Sequence, residues 1–266
     1  MTRFALLQAV CLKSFAWRRA ERQRKRYEAR VAGVVRARFR EDRKAVIADL
    51  RQAGTTRGVI DAVPDAVARR EGAWTRALTR VLAQTITDVA VVTFRTLESG
   101  KAAGDGERVD RWRELAREHV GETLPDTLQA VSATTVNRIQ GALYKAIDEG
   151  ASIDQMVTAL SARWDSTVLS ATRARMIART ETVDAAGFGS LQGARESQAD
   201  VDKKWLAAGD HRTRTSHLMA NGQVRGLDAP FDVGGSHMQH PGDRSLGAEA
   251  EEVVNCRCAV GFVRRR

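Results

Sequence analysis

Aromatic residues are scarce in this chain: seven Phe, five Trp and two Tyr among 266 residues. A core of that composition must be built mostly from Ala, Val and Leu, which favours helices. Three cysteines (Cys11, Cys256 and Cys258) are too few for a disulfide framework and fit a reducing compartment. Only four prolines occur, none of them between Phe4 and Leu50, so long helices can run uninterrupted. No uninterrupted apolar run approaches the roughly 20 residues that span a bilayer, and no membrane partner is expected. The sequence also lacks His-Glu-x-x-His, Gly-x-Ser-x-Gly and any glycine-rich phosphate loop. Zinc-finger and RNA-recognition spacings are missing too, which removes support for sequence-specific nucleic-acid readout.

What is present is arginine, unevenly placed. The net charge is +10. Residues 1–60 hold 16 Lys/Arg against 5 Asp/Glu, whereas the other 206 residues hold 27 and 28. The whole positive excess therefore belongs to an N-terminal segment on a nearly neutral body. Met1–Ala20 contains no acidic residue, but its apolar stretch Phe4–Leu12 is broken by Gln8. Lys13 and Arg18-Arg19 follow instead of a small-residue cleavage site, so the expectation is a protein that stays where it is made.

Within that segment Tyr27, Val31, Val35, Phe39, Val46 and Leu50 fall on one helical stripe. Arg18, Arg19, Arg22, Arg24, Lys25, Arg26, Arg30, Arg36 and Arg40 crowd the rest of the surface. Such density repels itself unless an anion lies alongside, and Lys/Arg contacts to phosphates give sequence-independent, salt-sensitive binding to double-stranded DNA. An acidic protein partner or a merely solvated face would have the same composition.

Further along, Gly54–Gly58 breaks the first helix, and Pro64 is placed to open a second that runs to Gly100. A short helix is expected over Arg108–Val120, and another from Pro125 to Gly150. Ser152 and Gln155 form a capping-box pattern, and Asp165-Ser166 marks the start of the next helix, with Ala171, Ala174, Ala178 and Ala185 as a small-residue face. His119 reads as a lone cation near a helix end. Near Val201 the helical period stops, and glycines and histidines become frequent. Lys204–Ala207, Phe231–Val233 and Cys258–Val263 look like strands. The expected fold is mainly α: long helices in an extended stem, then a small irregular α+β module. Its divisions are a basic arm (1–60), a helical region (61–198) and the module (199–266).

The module gathers Asp210, His211, His217, His237, His240, Asp243, Cys256 and Cys258. Thiolates and imidazoles are zinc ligands, and His217, Cys256 and Cys258 are the set that could hold one, but Cys-x-Cys departs from the usual Cys-x2–4-Cys. The expectation is no cofactor, with the two thiols as small buried residues on one side of a strand. A hydrolytic or transferase reading would use the same His/Cys/Asp cluster, but no spacing demands it.

These residues carry a resemblance. Ala178-Arg179-Thr180-Glu181-Thr182, Lys204-Trp205, Asp210 to Arg214, His217, Gly222-Gln223, Phe231 and Asn255-Cys256-Arg257-Cys258 occur in one order. That order, over roughly Met176 to Val260, resembles the Mu F-type head morphogenesis domain of tailed bacteriophages. The resemblance implies a minor head protein, not an enzyme, inside the capsid of the virion and in the host cytoplasm during assembly. Its implied partners are the portal protein, other head proteins and packaged DNA. The signature residues carried over are Arg179, Glu181, Trp205, Asp210, Arg212, His217, Gly222, Cys256, Arg257 and Cys258, with no catalytic role attached. The alternative is a metal-dependent nuclease or transferase effector. His237-Met238-Gln239-His240-Pro241 is richer in histidine than the resemblance implies, and a metal site peculiar to this chain would be expected there.

Overall fold

The computed structural model describes residues 15–98, 105–168 and 170–265. The side chains of Arg18 and Arg19 lie outside the described part, as does Cys11. The chain is mainly helical. Helix α1 (Phe15–Arg51) is followed by the short α2 (Thr56–Asp61) and α3 (Val63–Ala68), then by α4 (Glu71–Leu97) and α5 (Asp105–Asp148). Then come α6 (Ile153–Ala162), α7 (Trp164–Thr167) and α8 (Ala171–Glu196). The remainder holds β1 (Val201–Leu206), α9 (Thr215–Met219), β2 (Val224–Arg225), β3 (Phe231–Val233), β4 (Ser236–Met238), α10 (Ala250–Val253) and β5 (Ala259–Arg264). Long helices followed by a small region of antiparallel strands are what the composition implied.

Several boundaries differ from the sequence reading, each for a local reason. Thr55 caps α2, its hydroxyl accepting from the Gly58 N–H, so the segment after Gly54 is helical at once. Pro64 sits in the first turn of α3, a six-residue helix separate from α4. Pro125 does not open a helix: it lies inside the 44-residue α5. Its missing N–H leaves only one ladder bond unmade, and Trp112, Val120, Leu124, Leu128, Ile139 and Leu143 bury an apolar face on both sides of it. The Ser152–Gln155 capping box is formed in both directions, at 3.4 and 2.7 Å. For α8 the cap is Ser170, whose hydroxyl accepts from the Arg173 N–H at 3.0 Å, in place of Asp165-Ser166.

Packing divides the chain into two compact units that do not follow the divisions at residues 60 and 198, because four long helices contribute to both. One unit comprises residues 32–80 and 121–175. Its core joins Phe39 to Trp74, edge to face at 4.7 Å, and Trp164, whose indole N–H donates to the Phe39 carbonyl at 3.1 Å. The other comprises residues up to 31, 81–120 and 176 onward. There β1 is the centre of an antiparallel sheet ordered β2–β1–β5, with Trp205 opposite Val260. A hairpin pairs Phe231 with Met238. Its two-residue turn, Gly234-Gly235, has both φ angles positive, as this tight connection requires. Trp205, Phe231, Val233, Met238, Val253, Cys256 and Cys258 form one core with Val183 and Leu191 of α8.

An 18-residue window within residues 56–97 has a mean hydropathy of 1.3, apolar enough by composition to cross a membrane. Half of it is buried by the protein's own packing, with Leu82, Ile86, Val89, Ala90 and Phe94 turned inward, as a core helix requires.

Candidate functional site

The signature residues converge in the second unit, and most of them bind one another. Arg179, on α8, makes a two-point contact with the Glu28 carboxylate of α1 at 2.9 and 3.4 Å and donates to the Asn255 side chain at 2.8 Å. The Thr180 hydroxyl accepts from the Asn255 N–H at 2.9 Å. Asn255 itself holds φ +60°, a conformation that asparagine tolerates better than most residues. Glu181 is buried and accepts from Arg244 at 3.3 and 3.4 Å. Asp210 accepts both forks of the Arg257 guanidinium, the Arg212 N–H at 3.1 Å and the Thr213 hydroxyl at 3.2 Å. The hydrogen bonds from Arg257 hold the Asp210 carboxyl well below the usual carboxylate range. Gly222 has φ +85° and donates to the Trp205 carbonyl at 2.9 Å. The Arg212 side chain is exposed.

At the centre stand His217, Cys256 and Cys258, all buried. His217 Nδ1 lies 3.3 Å from the Cys258 sulfur and 3.6 Å from that of Cys256. Its Nε2 lies 2.9 Å from a Glu252 carboxylate oxygen, too oblique for a hydrogen bond, while the Ser216 hydroxyl donates to the same oxygen at 2.7 Å. The Cys258 thiol bonded to it, assisted by His217, pulls the Cys256 thiol well below its ordinary range, whereas Cys258 is pushed up. Burial alone would lower His217, but the Cys256 sulfur more than offsets it and the imidazole is raised. The thiols are buried as the sequence suggested, yet they face an imidazole as well as the core.

The histidine-rich loop does not join this group. His237 is exposed and pairs with Asp232 at 2.9 Å. His240 is buried near His119, with their rings 6.3 Å apart, and burial lowers its pKa. His119 is not at a helix end. It lies within α5, stacked on Phe188 at 3.9 Å and bonded to Asp184 at 2.8 Å. Burial alone would raise Asp184, but the His119 contact outweighs it and the carboxyl is lowered. Glu28, Asp184, Arg244 and Glu252 were not found from sequence. Asp184 is one helical turn past Glu181 and could have been, while Glu28 lies 151 positions from Arg179 and had no local signal.

The arginine-rich helix divides into two faces. Arg24 is buried and engages the Glu28 carboxylate, so it leaves the set of solvent-facing cations. Arg22, Lys25, Arg26, Arg30, Arg36 and Arg40 are exposed. At 100° per residue these six fall within an arc of about 140°, opposite the stripe of Val31, Val35 and Phe39. Lys25 pairs with Glu21 at 3.3 Å and Arg30 with Asp88 at 3.6 Å. Arg22, Arg26, Arg36 and Arg40 make no ion pair among the described residues. In the first unit Arg40, Arg43, Lys44 and Arg51 line an open groove of ≈ 530 Å³.

Comparison with known proteins adds the following. The family described as "Phage Mu protein F like protein" matches residues 137–261, beginning well before the signature at Met176. Minor head protein GP7 of Bacillus phage SPP1 is 29% identical over 144 residues, 53% of this chain and 45% of that protein. An NAD(+)–arginine ADP-ribosyltransferase EFV of Enterococcus faecalis is 33% identical over 138 residues, 46% of this chain and 28% of that protein. Protein YqbB of Bacillus subtilis is 29% identical over 127 residues, 47% of this chain and 41% of that protein. The chain thus spans less than half the length of each of these relatives. No solved structure matches it significantly.

Proposed function

We propose that this chain, whose residues 137–261 belong to the Phage Mu protein F-like family, is a minor head protein that lies inside the capsid, docks at the portal and contacts packaged DNA. The observation that carries the DNA contact is the face of α1 bearing Arg22, Arg26, Arg36 and Arg40 without carboxylate partners among the described residues. Guanidiniums so placed are neutralised by phosphates, and their binding is independent of sequence. The internal pairing of Arg179, Glu181, Asp210 and Arg257 supports a rigid docking module, since satisfied charges hold a shape and leave little to react.

The test is salt-titrated binding of double-stranded DNA by the full chain and by a variant with Arg22, Arg26, Arg36 and Arg40 all changed to Gln. Affinity should fall steeply with salt, and the variant's log–log slope should be shallower by about 0.9 for each phosphate that is no longer neutralised. A slope unchanged by the four substitutions would refute the phosphate contact. A portal pull-down from infected cells tests the docking partner.

The name of the Enterococcus relative favours a second reading, a transferase. Most of that protein lies outside the matched stretch, so the activity its name records need not reside in the shared part. Transfer of label from NAD to an arginine substrate by this purified chain would establish the second reading.

A further inference from the structure

We propose that His217, Cys256 and Cys258 form a zinc site that closes the C-terminal module. Among the described residues they are the group of three whose donor atoms all lie within 4.8 Å of one another, and each is buried. In a tetrahedral site with Zn–S of about 2.3 Å and Zn–N of about 2.0–2.1 Å, a nitrogen and a sulfur ligand sit about 3.5 Å apart. The Nδ1–sulfur separations here are 3.3 and 3.6 Å. The site is therefore near ligand geometry before any ion enters. Two sulfurs and an imidazole are a soft donor set, which selects zinc over magnesium or calcium.

The surroundings also suit a metal. A zinc ion on Nδ1 leaves the proton on Nε2, and a carboxylate on that second nitrogen is the usual outer partner of a metal-bound histidine. Glu252 lies 2.9 Å from Nε2, where a small rotation of the imidazole would align the bond, and is itself held by the Ser216 hydroxyl at 2.7 Å. The Cys258 N–H donates to the Cys256 sulfur at 3.4 Å, and the buried Trp205 indole N–H has no hydrogen-bond partner, while its ring packs edge-on against His217 at 5.5 Å. An amide donor of this kind stabilises a thiolate. Both thiols release their protons to solvent on binding, so no oxidant or reductant is needed.

The full chain, purified in reducing buffer and equilibrated with micromolar free zinc, should hold one zinc per chain by elemental analysis. Cobalt substitution should give thiolate-to-metal charge-transfer and tetrahedral ligand-field bands. Cys256→Ser and Cys258→Ser should lose both signals. Glu252→Gln keeps all three ligands and should bind zinc about 10–100-fold more weakly. Because the wild-type measurement needs no variant to fold, it decides alone. A folded chain that takes up no zinc, with both thiols reacting freely with a thiol reagent after unfolding, overturns the site. So does zinc that survives removal of both sulfurs.

Discussion

The Asp210–Arg257 pair differs from the surface ion pairs elsewhere on the chain. Exposed pairs contribute about 0–1 kcal/mol, because solvent screens them and two long side chains lose freedom. Arg57–Asp61, with both partners largely exposed, belongs to that class. Asp210 and Arg257 retain only 19% and 10% of their side-chain exposure, and the carboxylate also satisfies a backbone N–H and a hydroxyl. Asp210→Asn should therefore cost about 1–3 kcal/mol at neutral pH by urea denaturation. The folded-state pKa of Asp210 is depressed, so its contribution is present above the unfolded carboxylate value and is lost as pH falls through the folded one. The deficit of the variant should therefore shrink in acid, below about pH 4. Lys203 has the same sign of linkage, in an alkaline window. It is fully buried, donates to the Gln239 carbonyl and side chain at 2.9 and 2.7 Å, and burial pushes its pKa down from 10.5 to about 8. The unfolded chain then holds the proton more tightly than the folded one, so stability rises from about pH 8 to 10.5. Lys203→Met should lack that rise, which urea midpoints across this window would show.

At the scale of elements, the approach of α8 to α4 depends on two glycines. A Cβ on Gly189 would sit 2.5 Å from the Ile86 carbonyl oxygen, and one on Gly193 2.4 Å from that of Ala90. Backbone cannot yield as a side-chain tip does, so Gly193→Ala should cost about 1–3 kcal/mol. Gly33, inside α1, meets nothing within 4 Å, and Gly33→Ala should gain about 0.4–1 kcal/mol by restricting the unfolded chain. Thermal unfolding of the two variants should shift in opposite directions. The helices themselves were legible in the sequence wherever local chemistry decides them. The stripe Val31, Val35, Phe39 is buried as its spacing demands, and Ser152–Gln155 caps as written. Pro125 was misread because a helix end and a tolerated interior proline share a local sequence, and only burial on both sides distinguishes them. In the candidate site, the positions of the signature residues were readable, but their partners were not. Glu28 contacts Arg179 and Glu252 approaches His217 across 151 and 35 positions, distances over which no periodicity carries information.

For the molecule as a whole, the charge split at residue 60 suggests an arm that could be removed without harm to the module. Packing argues otherwise. The first half of α1 belongs to the same compact unit as the signature residues. Its Glu28 neutralises Arg179, its Arg24 is buried, and Ala20, Gln23 and Tyr27 wall the cavity beside Cys258. Deleting residues 1–31 would strand the Arg179 guanidinium and open the core around Val183 and Val260 to water. Truncating one partner of an enclosed pair typically costs about 3–5 kcal/mol, a large share of a domain's stability. The truncated chain should therefore lose hydrogen-exchange protection in β1 and β5, and any loss of DNA binding would report unfolding as much as missing phosphate contacts. The four Arg→Gln substitutions on the exposed face separate the two. They leave Glu28 and Arg24 in place, so protection in β1 and β5 should persist while the salt-dependent affinity falls. Full protection in the truncated chain would instead make the arm a separable appendage, as the charge distribution alone implies.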